Sequence, residues 1–432
     1  MFFKLLKDAL KIKNVRNKIL FTLFIIFVFR LGTHITVPGI NVRSLDQLAN
    51  LPFLNMLNLV SGNAMNNFSV FSLGVSPYIT ASIVVQLLQM DIYPKFVEWS
   101  KQGEVGRRKL NQATRYITLV IAFAQSLGIT AGFNALSSVS LVATPNPQTF
   151  ILIGAILTTG SMIVGWLGEQ ITDKGFGNGV STIIFAGIIA GLPGMFSSIY
   201  EDYFVNVSAN SLTHSIVMVS ILALSALAIV FFTTFVQQAE YKIPMQYTKL
   251  AQGAPTNSYL PLRVNPAGVI PVIFASSITT IPSTIIPFLG NRFPWLNSLQ
   301  TTLSYQTPTG MAVYAVLIVL FSFFYTFVQV NPEKTAENLQ KNGSYIPSVR
   351  PGKDTEDYLS SLLKKLATIG SVFLAFISIV PIMAQQLFNL SSGIALGGTS
   401  LLILISTGFE AMKQLEGYLL KRQYVGFMNV EN

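Results

Sequence analysis

The chain has 432 residues, of which 51% are hydrophobic and only 11% charged, with 32 Phe and no Cys. A soluble domain carries charge on roughly a quarter of its residues, so the composition excludes one, and the missing Cys excludes a disulfide framework, thiolate chemistry and a thiolate metal site. The net charge of +10 raises nucleic acid as a partner, but the Lys and Arg fall between long apolar runs. There they act as membrane anchors and meet acidic partners or anionic lipids, not a DNA duplex.

Residues 1–18 form a basic amphipathic lead-in with Lys4, Lys7, Lys11, Lys13, Arg16 and Lys18. The apolar run at about 19–38 is of span length, which predicts a retained helix and not a cleaved signal peptide. The next segment, 58–90, is broken. Gly62, Asn63, Asn66, Asn67 and Ser69 alternate with Ala64, Met65, Phe68, Val70 and Phe71, which predicts a short half-polar helix or turn. Gly74 and Pro77 then interrupt the chain before an uncharged run to Met90. A broken helix at membrane depth is tolerated only where it is buried in protein or lines a water-filled cavity.

Further spans are predicted at about 75–91, 117–135, 150–168, 179–196, 213–236, 267–289, 310–330, 366–386 and 397–415. Each fits a hydrocarbon core of ~30 Å, and the short alternating segments of a β-barrel are absent. The predicted fold is therefore an all-α polytopic membrane protein of ten helices. Of its 28 Lys and Arg, only Arg43 and Arg292 fall outside and Arg30 within the first span, if the N-terminus is inside. The positive-inside rule then places both termini in the cytoplasm.

Residues 268–276, GVIPVIFAS, repeat 74–82, GVSPYITAS, pairing Gly74/Gly268, Val75/Val269, Pro77/Pro271, Ile79/Ile273, Ala81/Ala275 and Ser82/Ser276. The chain divides into 1–18, an N-terminal half at 19–196, a C-terminal half at 197–415 and a tail at 416–432. Five spans per half turn the second half upside down, and interrupted helices at matching places in inverted halves point to a pathway at their seam.

Arg30 is the one charged residue well inside a span; Glu410 and Lys413 lie toward the inner end of the last. The buried acid or His chains of coupled carriers are missing, as are a P-loop, an HExxH motif and a Ser/His/Asp constellation. The sequence predicts no enzyme, no cofactor and no metal. A secondary transporter of small solutes is the alternative from another class, and the missing midplane charges weigh against it.

Several stretches carry a family resemblance: FRLGTHITVPGI (29–40), LGVSPYITASIVVQLL (73–88), GEVGRRKLNQATRY (103–116), GFGNGVSTIIFAGIIAGLP (175–193), LPLRVNPAGVIPVIFASSI (260–278), NLQKNGSYIPSVRPGKDT (338–355) and GGTSLLILI (397–405). From end to end the chain resembles the SecY family, the channel subunit of the bacterial protein-conducting translocon. The resemblance implies a clamshell of helices one to five and six to ten around an hourglass pore. A plug closes the pore outside, an aliphatic ring constricts it, and it opens to lipid between helices two and seven, flanked by three and eight. It also implies SecE and SecG as subunits, SecA or the ribosome as the driving partner, preproteins as cargo, and the plasma membrane as location. An accessory SecY with dedicated substrates remains an alternative within the family.

The ring positions implied by the resemblance are Val75, Ile79, Val180, Ile184, Ile273 and Ile403. Branched aliphatic tips can deform around any passing side chain and favour dewetting, although Ile and Val in apolar helices ordinarily face lipid or another helix. The plug falls at about 61–72, with Ser61, Gly62, Asn63, Ala64, Met65, Asn66, Asn67 and Phe68; the alternative is an outer re-entrant loop that only packs. The gate face takes Thr80, Gln86, Gln125, Ser276, Ser277 and Thr280, which could equally make ordinary interhelical hydrogen bonds. For docking of SecA or ribosomal RNA, the resemblance implies Lys242, Lys249, Arg350 and Lys353; an anchor at the membrane surface is the plainer role for Arg350. Family members often carry adjacent basic residues where Tyr241 here precedes Lys242, which weakens the expectation of ribosome affinity more than that of SecA docking.

Overall fold

The computed structural model describes residues 10–41, 61–62, 64–136, 142, 145–205, 212–247, 258–289, 295, 298, 302–303, 307–387 and 398–428. Every predicted span contains a helix, although the first, predicted over 19–38, is helical only to Gly32 and continues as turns with a bridge from Thr36 to Ser69. The helices are α1 (Lys13–Gly32), α2 (Ser76–Leu87), α3 (Pro94–Lys101), α4 (Gly103–Leu136), α5 (Pro147–Lys174), α6 (Gly179–Tyr200) and α7 (Leu212–Gln238). They continue with α8 (Ile270–Leu289), α9 (Pro308–Gln329), α10 (Pro332–Lys341), α11 (Lys353–Leu387) and α12 (Gly398–Met428). Of these, α3 and α10 are short additions outside the predicted spans. Six helices are long and apolar enough over their described residues to cross a membrane. The helix α7 shows why hydropathy reads so clearly here: Leu224, Leu227, Phe231 and Phe235 are all exposed on it, an arrangement stable only against lipid.

The repeat is visible in the backbone. Gly74 and Gly268 both take left-handed φ values, +55° and +63°. Each N–H closes a turn onto the carbonyl three residues before it, Phe71 and Asn265. Each lies two residues ahead of the first residue of its helix, Ser76 or Ile270. A residue with a Cβ resists that conformation, and Pro77 and Pro271 then sit in the first turn, where a missing N–H leaves no helical bond unmade. Ile79 N–H donates to Val75 O and Ile273 N–H to Val269 O, so the two helices begin alike.

Packing follows from these starts. In the N-terminal half α4 packs on α2 and α5, α5 on α6, and α1 on α5 and α6. In the C-terminal half α9 packs on α8 and α11, and α12 on α7 and α11. The halves meet where α8 lies against α2 and α4, and where α12 lies against α6. Beyond these contacts, Gly177 N–H donates to Gln414 Oε1 at 3.0 Å, and Val15 and Leu415 pack together with Phe176 and Leu419.

One element was not expected. Strands β1 (Glu240–Tyr247), β2 (Ser258–Arg263) and β3 (Ser344–Tyr345) form an antiparallel sheet in the order β2-β1-β3. It joins the stretch between α7 and α8 to the stretch between α10 and α11 through the pairs Gln246↔Tyr345 and Tyr247↔Ser344. Ile243, Leu262 and Ile346 from this sheet region bury against Leu359, Leu363 and Leu366 of α11, which gives the excursion a small core of its own.

Candidate functional site

The six predicted ring residues come together in one apolar cluster. Val75 and Ile79 on α2 and its approach, Ile184 on α6, Ile273 on α8 and Ile403 on α12 are buried members of it, and Val180 packs against it. Asn178 caps the start of α6, its Oδ1 accepting from Val180 N–H at 3.1 Å and Ser181 N–H at 3.3 Å, which fixes where Val180 and Ile184 project. Val75/Ile79 and Val180/Ile184 are each one helical turn apart and share a face. The cluster draws on both halves and also contains Phe274, Tyr314, Phe321 and Leu374. Its ring members carry no hydrogen-bonding group, so nothing in them holds a polar chain or an ion.

The segment predicted as a plug is turned, not helical, beyond Ser61, and it is drier than its Asn and Gly content suggests. Ser61, Ala64, Met65, Phe68, Ser69 and Ser72 are buried; Asn66 is exposed, and Asn63 lies outside the described residues. Two kinds of attachment hold it. Residues 65–74 are bolted: Val37 N–H donates to Phe68 O at 3.1 Å, and Val70 N–H to Ile35 O at 2.9 Å. The Phe68 ring meets Phe133 edge-on at 6.1 Å, Ser72 Oγ donates to Ala64 O at 3.0 Å, and Ser161 Oγ donates to Gly74 O at 3.1 Å. Ala64 is tied to that part, its carbonyl accepting from Ser69 N–H at 3.0 Å as well, while Ser61 and Gly62 are held more lightly. Arg30 Nη1 donates to Gly62 O at 2.7 Å, Ala64 joins the ring cluster, and a Cβ on Gly62 would lie 3.0 Å from Gly187 Cα of α6.

The predicted gate residues lie on helices that touch across the seam, and their hydroxyl donors turn inward on their own helices. Thr80 Oγ1 donates to Ser76 O at 3.1 Å, and Ser276 and Ser277 donate to Ile273 O at 2.8 and 2.9 Å. Gln86 Nε2 donates to Ser82 Oγ at 3.3 Å, while its Oε1 is buried without a partner. Gln125 is buried on α4; the Thr280 side chain lies outside the described residues.

Lys242, Arg350 and Lys353 are exposed, and Lys249 lies outside the described residues. The Lys242 ammonium stacks over the Tyr259 ring of β2, 4.8 Å from its centroid. The turn carrying Arg350 is fixed from within, since Thr355 Oγ1 donates to Arg350 O at 2.8 Å. The sheet therefore sets Lys242 and the Arg350 turn in one folded unit. Arg30 is a contact residue that no motif announces, because its partner is the backbone carbonyl of Gly62.

The model of the SecY family matches residues 69–412. The protein translocase subunit SecY of Streptococcus gordonii is 72% identical over 99% of both chains. A solved SecY channel, described as one whose plug domain stabilises the closed state of the translocation channel and maintains a membrane seal, superposes with a TM-score of 0.64 at 17% identity over 93% of this chain and 91% of its own. Sec61 in the canine ribosome-channel complex from the endoplasmic reticulum superposes with a TM-score of 0.62 at 16% identity over the same shares. Sequence, fold and the paired broken helices agree: the chain is a polytopic membrane protein that belongs to the SecY family.

Proposed function

We propose that this chain is the central subunit of a protein-conducting channel that passes unfolded preproteins across the plasma membrane and releases apolar helices sideways into it. The observation that carries the reading is the single apolar cluster uniting Val75, Ile79, Ile184, Ile273 and Ile403 from both halves, with Val180 against it. In this reading those side chains form a gasket. They part around a polypeptide, and when they close they leave no polar surface for ions. Residues 61–64 seal the outer side, and α8 against α2 and α4 is the lateral exit, where an apolar signal sequence competes with polar helix contacts worth only ~0.6 kcal/mol each.

The channel is passive and takes its drive from outside, from the SecA ATPase or from chain elongation on the ribosome. Lys242, Lys249, Arg350 and Lys353 are the docking cations, suited to carboxylates or to ribosomal RNA phosphates without reading base sequence. SecE and SecG complete the complex, anionic lipids meet the inner basic segments, and both termini are cytoplasmic. The test is reconstitution of the chain with SecE, SecG and SecA in proteoliposomes, supplied with a preprotein and ATP. Protease-protected preprotein that requires a signal sequence is expected. Uptake of a small solute without any motor, and no protected preprotein, would overturn the reading.

A further inference from the structure

Arg30 is the one charged residue well inside the first nine predicted spans; the structure ends α1 at Gly32, which puts Arg30 half-buried in its last turn. A charge at that depth is costly and ordinarily faces a partner or a water-filled cavity. Among the described residues its hydrogen bonds go to no carboxylate: Nη1 donates to Gly62 O at 2.7 Å and to Thr33 Oγ1 at 3.4 Å. Thr33 Oγ1 in turn donates to Arg30 O at 2.7 Å, which ties this end of α1 to the guanidinium.

The Gly62 carbonyl is presented by a left-handed glycine, φ +71°. Ser61 Oγ is buried and, among the described residues, has no hydrogen-bond partner. Gly62 can lie beside Gly187 of α6 only because it lacks a Cβ. From Met65 onward the chain is secured to the segment after α1 by paired backbone bonds. The Ala64 carbonyl is fastened too, accepting from Ser69 N–H and Ser72 Oγ, each at 3.0 Å, so among the described residues the firm attachment begins at Ala64, and Gly62, held by Arg30, is on the light side.

We propose that Arg30 is the positioning residue that latches the plug, its guanidinium holding the Gly62 carbonyl against α6 in the resting channel and releasing it when a chain enters. The proposal rests on the reading of 61–64 as the plug. A bond from a charged donor to a carbonyl that water replaces on opening is strong enough to bias a closed state, yet is broken without moving any backbone bolt.

The test is ion conductance of the resting channel complex in planar bilayers, without cargo. Arg30→Gln is expected to raise it about tenfold, whereas Arg30→Lys, which keeps a cationic donor, stays close to wild type. Gly62→Ala, which leaves Arg30 intact but strains the backbone and crowds Gly187, is expected to leak as well. Removing residues 61–64 should leak more, and adding Arg30→Gln to that deletion should change nothing further. Wild-type conductance in Arg30→Gln alongside a leaking deletion would overturn the latch and spare the plug. A further rise on top of the deletion would also overturn the latch. A deletion that does not leak would overturn the plug reading and the latch with it.

Discussion

Lys413 Nζ donates to Glu240 Oε1 at 2.6 Å, and this ion pair fastens the middle of α12 to the first residue of β1. Gln237 and Ser406 are hydrogen-bonded beside it, and Arg263 is the strand partner of Glu240. The same helix that carries Ile403 is thus moored to the sheet that carries Lys242. The Lys413 ammonium holds the Glu240 carboxyl below its ordinary value of 4.5. A carboxyl lowered by folding stabilises fully above its unfolded value, and that contribution fades as pH falls through the lowered one. Glu240→Gln or Lys413→Met should lower stability by up to ~1 kcal/mol at neutral pH. The gap from wild type should close on acidification below about 4.5. Thermal melting of the detergent-solubilised protein across that range checks this; a gap that widens in acid would contradict it.

The two repeat glycines make a second prediction. A Cβ on Gly268 would meet nothing within 4 Å, so Gly268→Ala probes backbone strain alone. It should cost ~1–2 kcal/mol, read as a lowered melting temperature. Gly74→Ala should behave alike, because the same conformation precedes the same helix start. Asn at either position, more tolerant of left-handed φ, should recover part of the loss.

Deletions within 61–72 should divide at residue 64. Removing 61–64 should leave a channel that folds and translocates but leaks ions. Removing 65–72 deletes the Phe68–Phe133 contact and the backbone bonds to Ile35 and Val37, and should abolish accumulation of folded protein. Expression, monodispersity and resting conductance of the two deletions decide it; equal behaviour would refute the division.

On the sheet, Lys242→Glu and Arg350→Glu should weaken binding of SecA to the reconstituted complex while leaving the melting temperature unchanged, since both side chains are exposed. Each should cost roughly tenfold in affinity at low salt and less at high salt, because exposed charges are screened. Affinity that ignores both salt and charge reversal would place docking elsewhere.

Spans and repeat were legible because their signals are local: uninterrupted hydropathy, and Gly and Pro at fixed offsets ahead of a helix. The ring positions came from family resemblance, and the structure places all six in or against one apolar cluster. The sheet was not legible. β1 and β2 are short and carry Pro244 and Pro261, which argue against central strands. They are tolerated because β2 is an edge strand and β3 reaches only Gln246 and Tyr247 of β1. Nor was the dryness of the plug segment: Met65 and Phe68 turn inward while Asn66 turns out, a choice set by α4 and α5, not by local composition.

The central claim is that a polypeptide passes between the halves through the aliphatic cluster. Photo-crosslinkers placed singly at Ile79 and Ile273, with a control at the exposed Leu224 of α7, test it most directly during stalled, SecA-driven secretion of a preprotein. Adducts to the translocating chain from both cluster positions, and few from Leu224, are the predicted result. Adducts from Leu224 with none from Ile79 or Ile273 would contradict the path.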